Sequence, residues 1–107
     1  MRLPLPIQTF FDADQGGASA QLSEAFLPEA SVTDEGHTHT GLAAIAAWWH
    51  ATKAEYRHTA TPLRVEENDG ITKVEARVAG DFPGSPAMLT FAFALQGDRI
   101  ARLEIDA

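Results

Sequence analysis

The sequence predicts a single α+β domain spanning residues 1–107. Three observations carry that expectation. Helical spacing of apolar residues is confined to the first half of the chain. Alternating apolar and polar residues fill the second half. Turn signals of the hairpin kind separate the alternating runs. Hydrophobic residues make up 45% of the 107, a globular value, and a chain of this length builds one core rather than two.

Each element follows from its residues. Pro4 and Pro6 suit the entry of a helix, where a missing amide hydrogen costs nothing. Ile7, Phe10, Phe11 and Asp14 then recur at helical spacing, and Gly16-Gly17 ends the run. Ser19 reads as the N-cap of a second helix that places Leu22, Ala25 and Phe26 on one stripe, with Pro28 as its stop. Ser31 to Glu35 alternates, Val32 and Asp34 on one face and Ser31, Thr33 and Glu35 on the other. Gly36 breaks that strand. Thr40-Gly41 begins the longest helix, about Leu42 to Tyr56, where Leu42, Ile45, the Trp48-Trp49 pair, Thr52 and Tyr56 return every three or four residues. Ala43, Ala44, Ala46 and Ala47 give that helix high propensity and a smooth surface. Arg57 to Glu67 then reads as a strand. Asn68-Asp69-Gly70 is a hairpin signal, because positive φ is cheap at those residue types. Ile71 to Gly80 returns, with Val74, Ala76 and Val78 opposed to Lys73, Glu75 and Arg77. Asp81 to Pro86 turns the chain. Met88 to Leu95 places Leu89, Phe91, Phe93 and Leu95 on one face, Gly97-Asp98 turns again, and Ile100 to Ile105 closes the meander.

Charge and composition exclude several classes. The formal net charge is −7 and the pI about 4.9, so the chain lacks the clustered Lys and Arg that nucleic acid or an anionic membrane surface requires. No window approaches the roughly 20 apolar residues of a membrane span. Met1 to Ile7 is a poor signal peptide, with one basic residue and two prolines, and a cytoplasmic location is expected. The absence of cysteine removes disulfides, zinc-thiolate sites and thiol nucleophiles.

Phe26-Leu-Pro-Glu-Ala-Ser-Val-Thr-Asp34, the loop closing on Gly41, Leu42-Ala-Ala-Ile-Ala-Ala-Trp48, Gly80 to Pro86 and Asp98 to Ile105 together resemble the SnoaL-like group of the nuclear transport factor 2-like superfamily, relatives of ketosteroid isomerases and polyketide cyclases. The resemblance covers nearly the whole chain. It implies a cystatin-like cone: a curved antiparallel or mixed sheet wrapped around helices, an apolar cavity for a small apolar organic molecule, and a homodimer formed through the outer sheet face. One fold hosts many activities, so chemistry has to be argued from side chains.

Asp34 is the sharpest candidate. It shares a strand face with Val32, and a carboxylate among apolar neighbours can act as a general base. In the similar isomerases and cyclases, an acid in a comparable setting abstracts a proton beside a carbonyl, and Val32-Thr33-Asp34 falls where the isomerase base lies. The alternative is a solvated strand-end Asp that caps the next loop. The resemblance fails at the oxyanion donors: the helix-1 tyrosine would stand at about Phe10, which has no hydroxyl, and the assisting acid near Thr90 or Phe91. Loss of such donors costs orders of magnitude in rate. His39 is the second catalytic candidate, as a partner of Asp34, and His37 joins it on the same side of an extended segment. The bland reading of both is a surface loop, and no third ligand is spaced for a metal. His50 reads as solvated. His58 shares parity with Ala60, Pro62 and Arg64, the more polar face of its strand. Phe10, Phe26, His37, Trp48, Trp49, Phe82 and Phe93 are the expected ligand contacts, with plain core packing as the competing account of each ring. No cofactor and no metal is expected. A non-catalytic binding or assembly domain is the alternative to an enzyme.

Overall fold

The computed structural model describes residues 1–107. The order of elements is α1 (Leu5–Asp14), a 3-10 turn (Ser19–Gln21), α2 (Leu22–Ala25), β1 (Phe26–Asp34), β2 (His37–Thr40), α3 (Leu42–Tyr56), β3 (Thr59–Asn68), β4 (Ile71–Ala79), β5 (Ala87–Gln96) and β6 (Arg99–Asp106). The six strands form one sheet in the order β2-β1-β6-β5-β4-β3. The topology follows from one crossover. Helix α3 carries the chain from β2 at one edge to β3 at the other, and three hairpins bring it back. Strand β6 therefore arrives beside β1 in parallel, while every other pairing is antiparallel. The result is the expected α+β cone on a mixed sheet.

Local chemistry sets the turns. Asn68 pairs with Ile71, and the two residues between them, Asp69 and Gly70, have φ of 54° and 78°. Two successive positive φ values match the right-handed twist of the flanking strands. The β1–β2 hairpin repeats the device with Glu35 and Gly36, at 52° and 78°, between paired Asp34 and His37. His37 and His39 thus stand on an edge strand rather than in a loop.

The inward faces are as the alternation predicts: Thr72, Val74, Ala76 and Val78 of β4 and Phe91 and Phe93 of β5 are buried. Helix α1 adds Ile7, Phe10 and Phe11. Phe10 meets Phe26 and Phe93 edge-on at centroid distances of 6.0 and 5.7 Å, and Phe11 meets Phe91 at 5.3 Å. Edge-to-face pairs of this kind add about 0.5–1.5 kcal/mol each beyond the area they bury. The opposite sheet face is charged. Arg64 lies opposite Glu75 and Glu66 opposite Lys73, cross-strand pairs that favour this register. Arg77 lies between Thr61 and Met88 instead of an acid.

Two expectations are corrected. The second helix ends at Ala25, and Phe26 already belongs to β1. Phe26 pairs with Ile100 in the sheet, and that long-range pairing overrides the helical stripe read from local spacing. Pro28 does not stop a helix. It lies where the β1–β6 register is interrupted, between Phe26 and Ser31, a place where a missing N–H is tolerated. The second correction concerns β3. Ala60 is 1% exposed and belongs to the core, so the His58–Ala60 parity is the inward face at this end of the strand.

Candidate functional site

A cavity of about 750 Å³, half open to solvent, lies between α1, α3 and the concave sheet face. Phe10, Trp48, Trp49, Val78, Leu89, Phe91 and Ile105 supply apolar wall, and Tyr56, Phe82 and Pro83 stand toward the 81–86 turn. Val78 at the end of β4 and Ala87, Leu89 and Phe91 at every second residue of β5 make the sheet side of the wall. The cavity persists because α3 crosses the sheet near β1 and leaves the β4–β5 end less covered.

Asp34 lines this cavity. Its Oδ2 accepts a hydrogen bond from Trp48 Nε1 at 3.0 Å. Trp48 therefore fixes the carboxylate from α3, one oxygen is taken, and Oδ1 receives no side-chain or backbone donor. Next to it, Tyr56 donates to Glu35 Oε1 at 3.4 Å. The negative charge of Glu35 above all, followed by that of Glu55, holds the Tyr56 phenol above its usual pKa. No group of three or more His, Asp or Glu side chains converges as a metal site.

The deeper part of the site joins three elements. Asp14, at the end of α1, is 6% exposed. Its Oδ1 accepts from Lys53 Nζ of α3 at 2.7 Å, its Oδ2 accepts from the Ala60 amide at 2.6 Å, and His58 Nε2 lies 3.4 Å from Oδ1. Burial pushes the Asp14 carboxyl up, but the bonds from His58, Lys53 and Ala60 together outweigh it, and the group titrates below its usual range. Lys53 also donates to the Asp14 and His58 carbonyls, each at 2.7 Å. Two polar atoms in this region, His58 Nδ1 and Trp49 Nε1, are buried without a partner.

Of the residues singled out from sequence, Phe10, Asp34, Trp48, Trp49 and Phe82 line the cavity. Phe26 and Phe93 do not. Both are 0% exposed within the core, because their strand faces point inward at depths the helices already cover. His37 is exposed on the β2 edge. His39 is half-buried with its ring 6.2 Å from that of Trp48, outside the lining. The partner of Asp34 is thus Trp48 rather than His39. The Asp14–Lys53–His58 cluster escaped the sequence reading as a unit. Its signal was Asp14 itself, an acid on the same helical stripe as Ile7, Phe10 and Phe11, which burial would oblige to find partners.

Residues 7–103 match the SnoaL-like domain, and the chain belongs to that family. The chain is 44% identical to a protein from Sinorhizobium meliloti proposed to be a polyketide cyclase, over 97% of this chain and 95% of that one, with a TM-score of 0.93. It shares its fold with a ketosteroid isomerase-like protein from Catenulispora acidiphila solved in complex with trimethylamine, at 19% identity, 99% and 87% coverage and a TM-score of 0.84. A protein of the SnoaL-like family from Agrobacterium tumefaciens, proposed to be an isomerase, superposes with a TM-score of 0.78 at 16% identity and 96% coverage of both chains. The last two likenesses carry the fold alone. No functionally curated protein matches the sequence.

Proposed function

We propose that this SnoaL-like domain binds a small, largely apolar organic molecule in its cavity and moves a proton on it, with Asp34 as general base. One observation carries the reading: Asp34 stands on the cavity wall with one oxygen anchored by Trp48 and the other without a protein partner. An anchored carboxylate with a free lone pair has the geometry a base needs. The Sinorhizobium relative, proposed to be a cyclase, supports chemistry of this class. In the reaction, Asp34 Oδ1 takes a proton from an activated carbon or from water, and the electron pair stays on the atom that loses it. The reading calls on no cofactor and places the protein in the cytoplasm. A homodimer through the charged sheet face, where Met88 is 51% exposed, completes it. A sedimentation experiment giving a monomer at micromolar concentration would remove that last element.

The second reading is a binding domain without catalysis. It is favoured by Phe10, which stands in the cavity wall where an oxyanion donor would be needed. The two are separated by hydrogen–deuterium exchange. Ketones, lactones and aromatic acids that raise the melting temperature are incubated with the protein in D2O, and loss of the ligand C–H signal is followed by NMR. The base assignment expects exchange that Asp34→Asn slows by about 10²–10⁴-fold. Equal rates in Asp34→Asn remove Asp34 as the base. Binding without exchange for every ligand leaves the non-catalytic reading.

A further inference from the structure

The charge around the cavity is one-sided. Five carboxylates, Asp14, Asp34, Glu35, Glu104 and Asp106, belong to its lining, and no lysine or arginine does. Asp14 is neutralised by Lys53, whose three bonds go to the Asp14 carboxylate and to the Asp14 and His58 carbonyls, so its ammonium has none left for a ligand. Arg57 is 80% exposed and turned toward Asp81. Glu104 and Asp106 flank the inward Ile105 on β6, and alternation turns their side chains to the outer face, so they contribute field rather than contact. Asp34 faces a ligand at the mouth, and so does Glu35, which lies past the end of β1 in the turn, where its positive φ breaks the alternation and brings its carboxylate to Tyr56.

Aromatic rings surround those two acids and are bonded to them. Trp48 holds Asp34 Oδ2, and Tyr56 holds Glu35 Oε1. Phe82 meets Tyr56 edge-on at a centroid distance of 5.9 Å. Ring faces carry negative quadrupole density, and a cation within about 6 Å of a ring centroid is attracted to it. Low-dielectric walls focus the field of like charges into the opening. An anionic ligand meets repulsion from both acids and finds no free cation. A neutral ligand gains no ion pairing from either acid.

We infer that the ligand of this cavity carries a positively charged nitrogen, a protonated or quaternary amine, seated at the mouth among Asp34, Glu35, Trp48 and Tyr56, with its apolar body directed inward toward Leu89 and Phe91. The inference rests on the cavity being the ligand site and is independent of whether Asp34 moves a proton.

The test is binding, read by quenching of tryptophan fluorescence and by calorimetry. Three probes of similar size differ in charge: benzyltrimethylammonium, the neutral ketone pivalophenone, and phenylacetate. The cation binds about tenfold tighter than the ketone at low salt, phenylacetate binds weakest, and the preference for the cation shrinks as salt rises. In the double variant Asp34→Asn with Glu35→Gln, its fold checked by circular dichroism, the cation-to-ketone affinity ratio falls to about one. Equal affinities for cation and ketone, phenylacetate binding as tightly as the cation, or a ratio unchanged in the double variant each overturn the inference. The ketone binding while the cation does not would overturn the inference and leave the proposed function standing. Failure of all three probes at millimolar concentration would remove both.

Discussion

Replacing Asp14 by Asn tests whether the junction of α1, α3 and β3 is held by a buried charge. Asp14 and Lys53 side chains are 5% and 19% exposed and meet at 2.7 Å. Breaking a buried pair by removing one partner costs about 3–5 kcal/mol, because the other charge is left uncompensated. Lys53 retains two carbonyl acceptors here, which places the expected loss at the lower end, about 3 kcal/mol. That is a large share of the 5–15 kcal/mol typical of a domain, and corresponds to a fall in melting temperature of roughly 12–24 °C at this chain length. The pH dependence has a definite sign. The folded carboxyl titrates below its ordinary 3.8, so the unfolded chain takes up the proton first as pH falls. The ionic contribution is therefore fully present above about pH 4 and disappears as pH drops below 3.8 through the folded value. Urea unfolding at pH 7 and at pH 3 measures both. The variant should lose about 3 kcal/mol at pH 7 with an unchanged m-value, and the gap to the parent should narrow at pH 3. A loss under 1 kcal/mol at pH 7, or a gap that is undiminished in acid, refutes the assignment of this cluster as an ionic tie.

Two further predictions concern packing. A Cβ at Gly80 would stand 2.6 Å from the Tyr56 carbonyl oxygen and 2.8 and 2.9 Å from His58 Cα and Cβ. Two of those atoms are backbone and cannot swing aside, so Gly80→Ala should destabilise by about 1–3 kcal/mol in urea unfolding, and a neutral result would show that α3 and β3 can separate freely. Phe93→Ala should cost about 3–5 kcal/mol, since its ring is 0% exposed. Phe82→Ala, half-buried at the cavity, should cost less than half as much, and equal losses in calorimetric melting would contradict the distinction between core and cavity wall.

The candidate site was legible in parts, and the parts have a pattern. Asp34, Trp48 and Phe82 could be placed because each sits in an element whose local rule is strong: an alternating strand, a long periodic helix, a proline-glycine turn. Depth was not legible. Alternation assigns Phe91 and Phe93 to the same face, yet Phe91 borders the cavity and Phe93 does not. What separates them is how far α1 and α3 extend over the sheet, and no residue of β5 encodes that. His58 was assigned to the polar face because its parity neighbours include Arg64. A register irregularity between Pro62 and Arg64 breaks that parity, and a bulge leaves only a weak trace in composition.

By itself the sequence determined α3, the alternating faces of β4 and β5, the Asp69-Gly70 turn and the acidic balance of the chain. These depend on periods of 3.6 and 2.0 residues and on which residues accept positive φ, and such constraints act over a few neighbours. The tertiary structure alone decided that β1 begins at Phe26, that it runs parallel to β6, that Trp48 anchors Asp34, and that Asp14, Lys53, His58 and Ala60 share one buried cluster. Those contacts join residues 14 to 74 positions apart. They exist because an apolar sheet face and buried polar groups must find partners somewhere, and only the assembled chain fixes which partners are within reach.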